Sequence, residues 1–81
     1  MRPIREYDAV RVVKLLSATR QFKGTDGVVR SPRIGDVATV CHEYSPHDPT
    51  AAVTVEKVNA RGDTIWLADF EREELELVEN G

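Results

Sequence analysis

The stretch Ala51-Ala52-Val53-Thr54-Val55-Glu56-Lys57-Val58-Asn59-Ala60-Arg61-Gly62-Asp63-Thr64-Ile65-Trp66-Leu67-Ala68-Asp69-Phe70 decides the fold. Ala51 to Val58 alternates, with Val53 and Val55 on one face and Thr54 and Glu56 on the other, which is the period of a half-buried strand. Asn59-Ala60-Arg61-Gly62 then places Asn at the first position and Gly at the fourth position of a four-residue turn. Asn bonds its own turn backbone, and Gly accepts positive φ without penalty. A type I turn with a Gly bulge predicts a hairpin, and Thr64 to Phe70 is its returning strand. Pairing straight across the turn sets Ile65 and Leu67 opposite Lys57 and Val55 on the core face. Trp66 then falls on the other face, beside Glu56.

Working toward the N-terminus, Gly35-Asp36 launches another strand, Val37 to Tyr44, which ends at Ser45-Pro46-His47-Asp48-Pro49. Two prolines in that segment remove two ladder donors and demand a loop. Asp8 to Leu16 is rich in β-branched residues and reads as the first strand, although Val12, Leu15 and Leu16 would also share a helical face. Ser17 to Gly35 is a long polar loop, with a tight turn at Gly24-Thr25-Asp26-Gly27 and a brief strand at Val28-Val29. Toward the C-terminus, Asp69 to Glu74 predicts one helical turn and Leu75 to Val78 a closing strand that pairs with the first. The expected architecture is mainly β. It is a five-stranded SH3-like barrel with a long first loop and a short helical turn before the last strand, one domain over 1–81 with an ordered core at about 7–78.

The 81 residues allow one thin core and no deep cavity, because a chain of this length buries only about 60% of its unfolded surface. No apolar run approaches the roughly 20 residues of a membrane-spanning helix. No apolar segment follows Met1 to Glu6, so no secretory signal is read. One cysteine, Cys41, cannot form an intrachain disulfide, and the cytoplasm is the expected compartment. The net charge of −3 divides unevenly. Residues 1–42 hold eight basic and four acidic side chains, and residues 43–81 hold three and ten. That acidic balance disfavours nucleic acid as a partner.

No constellation for chemistry is legible. Cys41 reads as a small core hydrophobe whose neighbour His42 points to the opposite face, so the two do not make a nucleophile and base. Cys41, His42, His47 and Asp48 diverge too much for zinc, and neither a metal nor a cofactor is expected. Glu71, Glu73, Glu74 and Glu76 read as a solvated face. Gly24 to Gly27 lacks the Lys-Ser/Thr tail of a phosphate loop.

Gly35-Asp36-Val37-Ala38-Thr39-Val40, the run to Tyr44, Val53 to Val58, the Gly turn, Thr64 to Phe70 and Glu74-Leu75 together resemble an uncharacterised bacterial family of small SH3-like barrels, a domain of unknown function. Tyr7-Asp8-Ala9-Val10 is similar to its opening strand, and the resemblance spans about Tyr7 to Val78. The loop Thr19 to Arg33 is longer than that family's, and the proline pair at 46 and 49 is unusual for it. The resemblance implies the barrel and brings no activity or site residues. The six residues from Gly35 to Val40 also resemble the core of the ribosome- and transcription-associated KOW segment.

Trp66 either lids one end of the barrel or, with Tyr44 and Phe70, forms an exposed aromatic anchor, the usual carrier of interface energy. The sequence therefore predicts a non-enzymatic interaction module. Its protein partner would be bound by Trp66, Tyr44, Phe70 and the basic loop with Arg20, Arg30 and Arg33. The alternative is a KOW-like accessory domain touching RNA or the ribosome through loop 20–33.

Overall fold

A computed structural model describes residues 2–48 and 50–78. Pro49 and the outermost residues of the expected domain lie outside that set. Five strands form one antiparallel sheet: β1 (Ala9–Val12), β2 (Val37–Glu43), β3 (Val53–Val58), β4 (Thr64–Phe70) and β5 (Leu75–Leu77). Their order across the sheet is β4-β3-β2-β1-β5. The last strand pairs with the first, Val10 facing Leu77 and Val12 facing Leu75. Among the described residues no pairing joins β4 to β5, so the sheet is open and does not close into the expected barrel. The helical turn before β5 is a 3-10 turn at Arg72–Glu74, shorter than expected. Strand β1 is also shorter and stops at Val12. No helix among the described residues is long and apolar enough to cross a membrane.

The core is one layer of side chains on one face of this curled sheet: Val10, Val12, Ala38, Val40, Val53, Val55, Trp66, Ala68, Phe70 and Leu75. Valine suits it, because a β-branched side chain is already restricted and packs well on a pleated surface. Each fully buried side chain of this kind contributes about 1.5–3 kcal/mol relative to leaving it in water.

The Asn59–Gly62 turn forms as its residues require. The Gly62 N–H donates to the Asn59 carbonyl at 3.0 Å. The Asn59 side-chain oxygen accepts from the N–H groups of Arg61 and Asp63 at 2.9 and 3.0 Å. Gly62 has φ +87°. Beyond the turn the register departs from expectation. Val58 faces Thr64, but Lys57 faces Trp66 and Val55 faces Ala68. Ile65 is an extra residue on β4, a bulge that slips the ladder by one. Because strand side chains alternate, that slip exchanges the two faces of everything after it. Trp66, Ala68 and Phe70 turn into the core, and Leu67 and Asp69 turn out. The expected core positions Ile65 and Leu67 are half-buried instead.

A second irregularity lies in β2. Val40 faces Val55, yet His42 faces Thr54, which leaves Cys41 as the extra residue. Cys41 is therefore half-buried on a bulge rather than a member of the core.

The long loop does not stand away from the sheet. Lys23 and Leu67 exchange backbone hydrogen bonds of 3.1 and 2.8 Å along the outer edge of β4. The Thr25 N–H reaches the Thr64 carbonyl and the Arg30 N–H the Ile65 carbonyl. These bonds satisfy a strand edge that would otherwise invite another chain. The tight turn sits one residue later than expected, at Thr25 to Val28, with Gly27 at φ +82°. Val28 and Val29 form no strand, and the isolated bridge falls at Lys23.

Candidate functional site

Two of the three expected aromatic contacts are core residues. Trp66 is fully buried, and its indole N–H donates to Asp36 at 2.9 Å. Phe70 is buried beside it, with ring centroids 5.3 Å apart. Neither ring is available to a partner on the folded surface. Tyr44 is 58% exposed.

The basic loop is also largely spent. Arg20 lies 4.1 Å over the Phe70 ring and forms an ion pair with Glu74 at 2.5 Å. Glu74 is fully buried and also accepts from the N–H groups of Leu16 and Glu71, each at 2.8 Å. Burial works against its charge, but Arg20 and those two amides hold its carboxyl below the usual range. Thus one of four glutamates that read as a solvated face is an interior anchor. Arg30 makes two 2.9 Å bonds to Asp36, which also accepts from the Arg33 amide and Trp66. Burial again opposes the charge, and Arg30, Trp66 and Arg33 outweigh it and bring the Asp36 pKa down to about 2. Arg33 itself is exposed.

On the outward face, between β4 and the loop segment 20–23, lies an open groove of about 580 Å³. Phe22 and Lys23 line it from the loop, Leu67 and Asp69 from β4, Thr54 from β3, and Tyr44 from just past the end of β2. The Tyr44 hydroxyl donates to Asp69 at 2.9 Å, and the Thr54 hydroxyl donates to it at 2.7 Å. His42 meets the Tyr44 ring edge-on at 5.0 Å. Among the described residues no cation pairs with Asp69. A carboxylate has about four lone-pair sites, so Asp69 retains accepting capacity inside the groove. Only Tyr44 of the six expected contact residues faces this groove freely, whereas Arg20 borders it with its charge already paired. Phe22, Thr54, Leu67 and Asp69 were not legible as site residues, because the Ile65 bulge that turns Leu67 and Asp69 outward carries no Gly or Pro to announce it.

Cys41 donates weakly to the Thr54 carbonyl at 3.5 Å. Burial and then the nearby Glu56 push its thiol pKa up, the opposite of nucleophile activation. No group of three or more His, Cys, Asp or Glu side chains among the described residues could hold a metal ion. Comparison with family profiles, curated proteins and solved structures returned no match. The functional reading therefore rests on the groove itself.

Proposed function

We propose that this chain is a small non-enzymatic interaction module of the cytoplasm, an SH3-like barrel that binds an extended segment of a partner protein in the groove between β4 and loop 20–23. The strand order, the long first loop laid along β4 and the 3-10 turn before β5 support the SH3-like reading. One observation carries the binding reading. An Asp69 carboxylate without a paired cation stands among Tyr44, Phe22 and Leu67, so charge and apolar surface meet in one open groove. The complementary segment places an Arg or Lys side chain next to an apolar one, with the cation on Asp69 and the apolar group on Leu67 and Phe22. A charge-assisted bond and an aromatic contact at the centre of a small interface are the kind that dominate affinity. The RNA reading loses support because Arg20 and Arg30, half of the basic side chains in loop 20–33, are turned inward onto carboxylates.

Selection of a random peptide library displayed on phage against the immobilised native chain tests this. Enriched peptides are expected to carry a basic residue beside an apolar one. Their synthetic counterparts are expected to lose about tenfold or more in affinity on Asp69→Asn and on Tyr44→Ala. No enrichment, or peptides that bind both variants unchanged, overturns the groove. Salt-steep binding of mixed RNA in its place would restore the nucleic-acid reading.

A further inference from the structure

Tyr7 is the only non-glycine residue with positive φ among the described residues, at +71°. Its setting explains the angle. The Asp8 N–H donates to the Arg5 carbonyl at 3.1 Å, which closes a turn over Arg5-Glu6-Tyr7-Asp8 with Tyr7 at the third position. Positive φ there is the mark of a type II turn, a position that Gly or Asn usually occupies. The Tyr7 N–H also donates to the Val40 carbonyl, and the Val40 N–H donates back to the Asp8 carbonyl at 2.9 Å. Two residues thus face one, with the first left-handed, the pattern of a bulge whose first residue is normally glycine. For a bulky side chain this conformation is an outlier that costs free energy.

The surroundings enforce the turn. Asp8 accepts from the Arg5 amide at 2.7 Å and takes two bonds from the Arg2 guanidinium, at 2.8 and 2.9 Å. The ring is mostly in solvent, because Tyr7 is 77% exposed, the most of any large hydrophobic residue described. A strained residue that packs against little is kept for its position rather than for stability, and strain of this kind concentrates at binding sites. The same backbone bonds set Tyr7 beside β2. Val40, which pins Tyr7, lies on β2 two residues before exposed His42, whose ring meets Tyr44 at the groove.

We propose that Tyr7 is a partner-contact residue, displayed by a glycine-type bulge so that the partner segment lying in the Tyr44–Asp69 groove continues past His42 onto its ring. This rests on the groove reading above. From β4 to β1 is three strand spacings, about 14 Å, which roughly four or five residues of extended chain cover.

The probe is the synthetic peptide selected on the native chain, with its affinity measured on Tyr7→Gly and Tyr7→Asn. Each variant suits the left-handed turn and removes the ring. The expected result is a loss of about tenfold in affinity together with a melting temperature that is unchanged or raised by a few degrees, about 4 °C for Tyr7→Gly. Unchanged affinity on both variants, with the losses on Tyr44→Ala and Asp69→Asn intact, overturns the role of Tyr7 and leaves the groove standing. A fall of more than about 4 °C in melting temperature for both variants assigns the ring to the fold and also overturns the proposal. Failure of the native chain to select any peptide removes the groove and Tyr7 together.

Discussion

The 53–70 hairpin and the 14–35 loop are held by different physics. The hairpin closes on a turn its own residues dictate, is zipped by a backbone ladder and buries Val53, Val55, Trp66, Ala68 and Phe70. Of the loop's residues only Pro32 is buried, and it stands outside that cluster. Besides the loop's backbone bonds to the edge of β4, two carboxylates tie it down, one fully buried and one half-buried: Glu74 takes Arg20 and the Leu16 amide, and Asp36 takes Arg30, Trp66 and the Arg33 amide. An apolar core tolerates loss of a methyl group, whereas a buried ion pair that loses one partner leaves an uncompensated charge. The groove lies where the two regions meet, so damage to the loop is damage to the site.

The largest expected effect comes from Glu74→Gln. Arg20 would stay nearly buried, at 11% exposure, with no carboxylate to meet it. A cost of about 3–5 kcal/mol is expected. An 81-residue chain has roughly 4–12 kcal/mol of total stability. Urea unfolding should therefore show a midpoint moved far toward zero. A midpoint within error of wild type would show that the loop is held by something other than its carboxylates.

Acid should loosen the same tether. The folded pKa of Asp36 lies near 2 against an ordinary 3.8, so the folded state binds its proton less readily than the unfolded chain does. The stability this adds is present above the unfolded value and is lost as pH falls through the folded one. The difference corresponds to about 2 kcal/mol, given up between about pH 5 and pH 2. The depressed pKa of Glu74 acts in the same direction. Asp36→Asn should flatten this decline in urea midpoints measured from pH 7 to pH 2, and an unchanged slope would remove Asp36 from the account.

Next in size is Gly62→Ala, at about 1 kcal/mol. Nothing lies within 4 Å of the added Cβ, so the whole effect comes from φ +87° and none from a clash. The melting temperature should drop by roughly 4–8 °C for a chain of this size. An unaltered melt would mean that the hairpin turn relaxes more easily than its Asn59 bonds suggest.

How much of this was readable follows the same division. The hairpin was legible because its determinants are local, an Asn and a Gly at fixed offsets between alternating valines. The β1–β5 pairing was legible because five strands of this length leave few other places for the last one. Trp66 was assigned to the wrong face by one residue. The turn itself keeps the expected register through Val58 and Thr64, and only Ile65, an ordinary strand residue, slips it. The groove was hidden by the same slip. Glu74 looked like its three glutamate neighbours, because its burial depends on Arg20, which lies 54 positions away in sequence. Asp36 was visible as part of a turn, but its bond to Trp66 required knowing which way that indole faced.

The smallest expected effect gives the comparison its control. Arg11 and Glu76 form an ion pair of 2.7 Å between β1 and β5, nearly as short as the 2.5 Å pair of Arg20 and Glu74. Their side chains are 44% and 51% exposed, whereas those of Arg20 and Glu74 are 11% and 0%. If contact distance set the energy, Arg11→Ala and Arg20→Ala would be equally damaging. Solvent screening predicts otherwise: Arg11→Ala should remain within about 0.5 kcal/mol of wild type by urea unfolding. Arg20→Ala should cost several times more, because Glu74 would be left fully buried without its counter-ion. Salt separates the two pairs again, since 1 M sodium chloride screens exposed charges over about 3 Å and reaches buried ones far less. Equal costs for the two substitutions would place the strength of the loop tether in its geometry, and the burial of Glu74 would then carry no special weight.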